Sequence, residues 1–571
     1  MVTIYENQDL QVEKAELDSN RDISNKDSST PDSESGLSNF IEKFLSTFEK
    51  KLSVLKKDGE PTVQVSEVLG GLARLYERIR TTVEYKGEHV LRRNAIERIL
   101  KRLVWQEESV RTDVKNRRVA ESLLKELIWA RYLPNNAVPK SIIDVVERTV
   151  DKYIYFLRNL DDLPSGISET KVRNWIWGVA SSEIEDIVDP SYRELYVQLM
   201  YDWFIDTFNW EEPGLDEHDK QIQIYLAIHR AFTKSDDSIM RYHLLLKEEP
   251  DWQNAERSEI NKFILKFSDI YSEIEGHLNF TGRLALYRKI QRNAAAFDVF
   301  REIASKEKLK LRELINNKAK FEERVRNECD TKYKQMAKRV STGIIRSIIY
   351  IFLTKVVFAM LIEIPYEVFM YGDVRYIPLA INMIIPPSMM WLIGFSIQVP
   401  GAKNTESIVT RLSSVLYKER DKVKQIFSLR KLKRNTVLST LFGILYSFIF
   451  ITVFGGITYV LTILNFSIFG ILIFFMFLSL VMLFAFRVRF NASQLRVGSE
   501  DEGFLGHLTS YFTLPFLNFG FYLSRGLAKL NFFTILLDFL IEIPLKNIIE
   551  VFEEWTSFLR EKKEEVVEIP E

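Results

Sequence analysis

Between Gly343 and Val488 the chain carries four apolar runs too long for a water-soluble domain to hide. A helix rises about 1.5 Å per residue, so about 20 apolar residues cross a hydrocarbon layer about 30 Å thick. Ile377 to Val399, Val437 to Leu464 and Phe466 to Phe486 meet that length without a charged residue. Ile344 to Phe369 also meets it, but it holds Arg346, Lys355, Glu363 and Glu367. Only the short turn Tyr371 to Tyr376 separates this run from the second. The expectation is therefore two membrane hairpins, 343–399 and 437–488, joined by a basic loop over 400–436.

Lysine and arginine set the orientation, because short flanks rich in them stay on the cytoplasmic side. Lys332, Lys334, Lys338, Arg339 and Arg346 precede or open the first run, and Arg487, Arg489 and Arg496 follow the last. Lys418, Arg420, Lys422, Lys424, Arg430, Lys431, Lys433 and Arg434 lie between the hairpins. The two opposite turns offer only Arg375. A multi-pass protein of the cell membrane with both termini cytoplasmic is expected. The start MVTIYENQDLQVEK has neither a basic opening nor an apolar core, so the first span is expected to act as the insertion signal.

The remainder reads as all-α. Residues 1–36 are polar and acidic, and are expected to form a disordered tail. Over 37–335, taken as one helical-bundle domain or as two (37–160 and 167–335), apolar residues recur at helical spacing. Phe40, Phe44, Phe48 and Leu52 make one stripe; Val68, Leu72, Leu75 and Ile79 make another. Trp175, Trp177, Tyr192, Tyr196, Tyr201, Trp203 and Trp210 are read as core rather than as a base-stacking surface, because the charge around them is acidic. No nucleic-acid partner is expected. Ala294 to Lys338 lacks proline and glycine, and is expected to form one stalk helix running into the first span.

Val409, Leu412, Val415, Leu416, Ile426 and Phe427 give the basic loop an apolar side. It is expected to lie on anionic headgroups, with the eight lysines and arginines from Lys418 to Arg434 as contacts. Residues 504–559 carry broad apolar faces and the acidic stripe Asp538, Glu542, Glu550. They read as helices in the membrane interface rather than a fifth and sixth span, ahead of a soluble tail over 560–571.

Charges at membrane depth are costly, and so are functional candidates: here Lys355, Glu363 and Glu367. Lys355 and Glu363 are eight residues apart, about 12 Å along an axis, and a straight helix does not let them meet. Pro365, Pro386, Pro387, Gly455 and Gly456 are candidate helix-break positions. Leu361-Ile362-Glu363-Ile364-Pro365 recurs at 540–544, which makes Glu542 and Pro544 a possible second copy of the first-span motif.

The acidic loop Glu211 to Asp219 with His218 follows no metal-ligand spacing and reads as solvated. The single cysteine, Cys329, excludes an internal disulfide framework and a cysteine-built zinc site. No phosphate-binding loop, nucleophile elbow or zinc-protease motif occurs, and no cofactor is expected. These residues favour a non-enzymatic scaffold or docking protein. It would bind a bilayer with anionic headgroups, and a protein partner or a second copy of itself. The alternatives are a small transporter or channel lined by the first-span charges, and, more weakly, a helical enzyme acting on lipid.

Overall fold

The computed structural model describes residues 36–54, 61–65, 88–110, 116–160, 164, 166–189, 192–397, 399–418, 424–429, 436–498 and 513–524, with 555, 558, 559 and 562. The acidic tail up to residue 35, the Val68 to Ile79 stripe, and Glu542 with Pro544 lie outside the described residues. The described chain is mainly helical and divides into two compact units. One holds Met1–Leu195, Thr233–Phe280 and Lys546–Glu571; the other holds Tyr196–Phe232 and Thr281–Leu545. The division does not fall at residue 335, because 196–232 and 281–335 cluster with the apolar helices.

The first unit is a bundle of α1 (Asn39–Val54), α2 (Glu88–Val110), α3 (Asn116–Trp129), α4 (Ser141–Arg158), α5 (Glu169–Val188), α8 (Asp237–Glu248) and α9 (Arg257–Leu278). Central α5 packs against α2, α4 and α8. Gly178 permits this: a Cβ there would stand 2.6 Å from Ser238 Oγ on α8. Of the aromatic residues read as core, Trp175, Tyr196, Trp203 and Trp210 are buried, while Trp177, Tyr192 and Tyr201 are half-buried. Phe156 meets Phe263 and Phe267 edge to face at 5.4 and 5.2 Å, and Trp175 meets Phe267 at 5.5 Å. Asp236 caps α8 by accepting from Ile239 N–H, and Glu256 with Glu259 forms a capping box on α9.

The second unit contains the rest of α6 (Arg193–Thr207), then β1 (Phe208–Trp210), α7 (Glu217–Ile228), α10 (Arg283–Lys306), α11 (Leu311–Asn316) and α12 (Lys318–Phe358). A π-helical turn (Ala359–Glu363) leads to α13 (Ile364–Tyr371), α14 (Tyr376–Phe395), α15 (Ala402–Leu416), β2 (Gln425–Phe427), α16 (Thr436–Ile463) and α17 (Ile468–Ser493). Strands β1 and β2 pair in parallel, Asn209 opposite Ile426, a small departure from an all-helical chain. Four helical segments are long and apolar enough to cross a bilayer: Lys318–Tyr371, Tyr376–Phe395, Thr440–Ile463 and Ile468–Ser493. They are the four runs of the sequence, which is compatible with a multi-pass membrane protein.

Three expectations are corrected. Ala294 to Lys338 is not one helix. The chain leaves helix after Lys306, passes through the short α11, and starts a new helix at Lys318, where the Asn317 side chain accepts from Lys320 N–H. A capping asparagine ends and restarts a helix without proline or glycine. From Lys318, however, α12 runs 41 residues, about 60 Å, into the apolar block unbroken.

Second, the part of the basic loop's apolar side that lies on α15 is covered by protein, whereas Ile426 is exposed. Ile408, Val409, Leu412, Val415 and Leu416 of α15 are buried, and α15 packs on α10 and α12. Burial against protein satisfies the same stripe that a bilayer surface would satisfy. Lys418 and Lys424 are exposed; Arg420, Lys422, Arg430, Lys431, Lys433 and Arg434 lie outside the described residues.

The third correction concerns 504–559, of which 513–524 is the one continuous described stretch, and it is helical. Phe516 is buried among Phe454 of α16 and Phe475 and Leu478 of α17. Gly520 sits so close to α17 that a Cβ would stand 2.5 Å from Ser479 carbonyl oxygen. Small residues at such crossings let helix backbones approach. This segment therefore packs against the middle of two apolar helices rather than beside their ends.

Candidate functional site

Two charges of the first apolar run, Lys355 and Glu363, meet. Helices α12, α14 and α17 form the centre of the second unit, packed pairwise. Gly394 of α14 lets α12 come close: a Cβ there would meet Ile344 Cγ2 at 2.8 Å. Ile351, Met390, Val481 and Ala485 fill the space above. Beneath them stands Lys355, 0% exposed, its ammonium 4.6 Å from the Phe477 ring.

Lys355 Nζ and Glu363 Oε2 are 3.2 Å apart. A straight helix places residues eight apart about 80° from each other. The π turn removes that offset, since one α turn of about 3.6 residues plus one π turn of about 4.4 totals about 8. Ile364 N–H donates to Ala359 carbonyl, the i−5 bond of such a turn. Pro365 follows in the first turn of α13, where its missing N–H is tolerated. The expectation that Lys355 and Glu363 cannot meet is thus overturned by one wide turn. A wide turn is invisible to a 3.6-residue reading of the sequence.

Asn382 of α14, 0% exposed, donates through Nδ2 to Glu363 Oε1. Gly470 of α17 faces the same oxygen; a Cβ would lie 3.8 Å from it. Farther along, Glu367 accepts from Arg375 N–H at 2.9 Å and lies 3.6 Å from its guanidinium. Arg375 donates to Asn465 carbonyl at 2.8 Å, tying the turn after α13 to the turn after α16. Gly372 takes φ 76° and Asn465 φ 58°, left-handed conformations that glycine and asparagine adopt at helix ends. Two cations and two carboxylates thus neutralise each other, with Glu363 and Glu367 each 3% exposed.

The pairing leaves polar atoms without a hydrogen bond among the described residues, Arg375 Nε and Nη2 included. Since Nδ2 of Asn382 faces a carboxylate, Oδ1 points elsewhere, and it finds no hydrogen-bond partner among the described residues. Ser479 Oγ is in the same position. Neither Asn382 nor Ser479 stood out in the sequence, where a lone polar residue in an apolar run carries little signal. Pro386 and Pro387 lie inside α14 and Gly455 and Gly456 inside α16, and both helices run unbroken across them.

The first unit holds a polar network that sequence reading missed. Lys152 of α4 pairs with Glu183 of α5 at 2.6 Å and donates to Trp252 carbonyl at 2.8 Å. Tyr153 OH donates to Glu183 at 2.7 Å and accepts from Trp252 Nε1 at 2.9 Å. Burial pushes the Glu183 carboxyl up and the Lys152 ammonium down, and their mutual attraction offsets part of this. Completely enclosed and fully bonded, the network holds α4, α5 and the loop at Trp252 together. The only trace in the sequence is Lys152 and Glu183 within buried stripes.

Asp186, one turn on, is pushed up to about 7 by burial and then by Glu185. The folded protein therefore holds a proton that the unfolded chain releases near 3.8, the ordinary value for aspartate. Stability falls as pH rises from about 4 through about 7, and the penalty is complete above that. Asp186→Asn removes it. The variant's thermal midpoint in detergent is expected to exceed the parent's by a few degrees at pH 8, about 1–2 kcal/mol after solvent screening. The two are expected to converge near pH 4.

No protein family, curated protein or solved structure matches this chain.

Proposed function

We propose that the chain is a non-enzymatic membrane scaffold that holds a helical domain at the cytoplasmic surface of the cell membrane for a protein partner, or a second copy, to dock on. The observation that carries this reading is α12. It is one helix that packs against α10 and α15 in its first part and against α14 and α17 in its last. Such a helix supports rigid attachment of the extramembrane layer to the apolar one. The charges of the first span support the same reading, because they are spent on each other and on Asn382 rather than left to line a path. Both termini and the 400–436 loop lie on the cytoplasmic side in this proposal, from the distribution of lysine and arginine.

Crosslinking in cells followed by purification of the full chain is expected to recover a partner, or a second copy, in near-stoichiometric amount. Recovery of the chain alone, as a monomer, counts against the scaffold.

The second reading, an ion or proton path, is favoured by one observation: the unpartnered Asn382 Oδ1 and Ser479 Oγ at membrane depth. Proteoliposomes separate the two. The scaffold predicts ion and proton leak equal to empty liposomes. A flux abolished by Glu363→Gln transfers the assignment to transport.

A further inference from the structure

Two cations of the second unit stand over one group of aromatic rings and a third lies one helical turn away, and among the described residues no carboxylate is paired with them. Trp203, Phe208 and Phe427 pack edge to face, Trp203 to Phe208 at 5.8 Å and Phe208 to Phe427 at 6.1 Å. Lys289 of α10 stands where two of the rings converge, its ammonium 4.9 Å from Phe208 and 5.2 Å from Phe427. Arg411 of α15 lies over the third, 5.6 Å from Trp203. Arg292 follows Lys289 by three residues, on the same face of α10. Among the described residues, no carboxylate pairs with any of the three side chains. Elsewhere in this unit half-buried cations do find one: Lys332 reaches Asp298 and Arg324 reaches Glu328.

The electrostatics agree with the geometry. Burial, and then Arg292 and Arg411, hold the Lys289 ammonium below the usual lysine range. Burial alone lowers Arg411, with no anion to raise it again. Aromatic faces compensate a cation on one side only. The like charges still repel, and the sides turned away from the rings still offer N–H donors.

The place of the cluster narrows its ligand. Helix α17 ends at Ser493, and the next residues are tied down on these same two helices. Gly498 N–H donates to Arg292 carbonyl at 3.2 Å, Val497 N–H donates to Asn404 Oδ1 at 2.8 Å, and Asn404 Nδ2 donates to Leu495 carbonyl at 2.8 Å. Arg411 lies seven residues beyond Asn404 on α15, about 10 Å along the helix. Arg411 lies between Glu406, which pairs with Arg326, and Ser413, which bonds Glu322, so it stands beyond the apolar part of α12, on the side where α17 ends. An arginine fork together with a lysine point charge suits phosphate oxygens.

We propose that Lys289, Arg292 and Arg411 form a phosphate-binding site on α10 and α15, backed by Trp203, Phe208 and Phe427. Its occupant is a phosphate group, carried by an anionic lipid or by a free solute. The site differs from the 418–434 lysines and arginines, and does not depend on the chain being a scaffold.

The test uses the full chain in a phosphate-free detergent, with thermal midpoint as readout. One arm adds inorganic phosphate against chloride at equal ionic strength, which removes general screening. The other adds phosphatidylglycerol to the micelles, against diacylglycerol with the same tails. A saturable rise of several degrees with phosphate identifies a free-solute source; a rise with phosphatidylglycerol and not diacylglycerol identifies lipid. Either supports the site, provided Lys289→Met abolishes the rise. Without either probe, Lys289→Met is expected to leave the midpoint unchanged or raise it, because repulsion is relieved. Arg292→Gln, an exposed change that leaves the packing intact, is expected to weaken the response three- to tenfold, and it decides the matter if Lys289→Met fails to fold. Parent protein that responds to neither probe overturns the proposal. So does a response that Arg292→Gln leaves unchanged, or a Lys289→Met variant that loses stability yet responds as the parent does.

Discussion

Glu363→Leu is expected to lower the stability of the protein by about 3–5 kcal/mol, the cost of removing one partner from a buried ion pair. The change leaves Lys355 completely enclosed, with the Phe477 ring as its remaining neighbour. It also strands the Nδ2 group of Asn382. Thermal unfolding in detergent, followed by size-exclusion profile, reads the loss. The double variant Lys355→Met/Glu363→Leu is expected to recover most of it, because apolar side chains of similar volume replace the pair without leaving a charge in the fold. Equal instability of single and double variants counts against direct pairing of the two residues.

The second large effect lies in the first unit. Glu183→Leu removes the acceptor for both Lys152 and Tyr153, and again about 3–5 kcal/mol is expected. Trp252 lies 6.0 Å from the Tyr153 ring and 5.1 Å from the Lys152 ammonium, so its fluorescence reports the local change. Lys152→Met on the Glu183→Leu background is expected to restore part of the loss. Tyr153 OH still lacks its acceptor there, so recovery is smaller than at Glu363. A Glu183→Leu protein with the parent's midpoint contradicts the keystone role.

The membrane helices were legible because length and polarity alone define them: no other environment suits Val437 to Leu464. Part of the aromatic core was legible too, since Trp175, Tyr196 and Trp203 fall in a stretch whose surrounding charge, Glu183, Glu185, Asp186 and Asp189, is acidic. What escaped depends on exceptions to regular geometry. The meeting of Lys355 with Glu363 needs a π turn, and no residue type announces one. The restart at Lys318 needs a capping asparagine, which Asn317 supplies in a stretch without proline or glycine. The burial of the α15 stripe depends on α10 and α12 being near. A periodic apolar face states that it must be covered, not by what. Asn382 lay hidden because its role is set by a carboxylate nineteen residues earlier, on the neighbouring apolar segment.

The central claim is that two apolar hairpins cross the bilayer with their short turns on one side and everything else on the other. Cysteine labelling tests it directly, because Cys329 is the single cysteine in the chain and is buried. Cysteines placed at Asp373, Asn465 and Lys418 are to be challenged in intact cells with a membrane-impermeant maleimide. The first two are expected to label from outside, and Lys418→Cys only after lysis. Labelling of all three from one side, or of Lys418→Cys alone, contradicts the account.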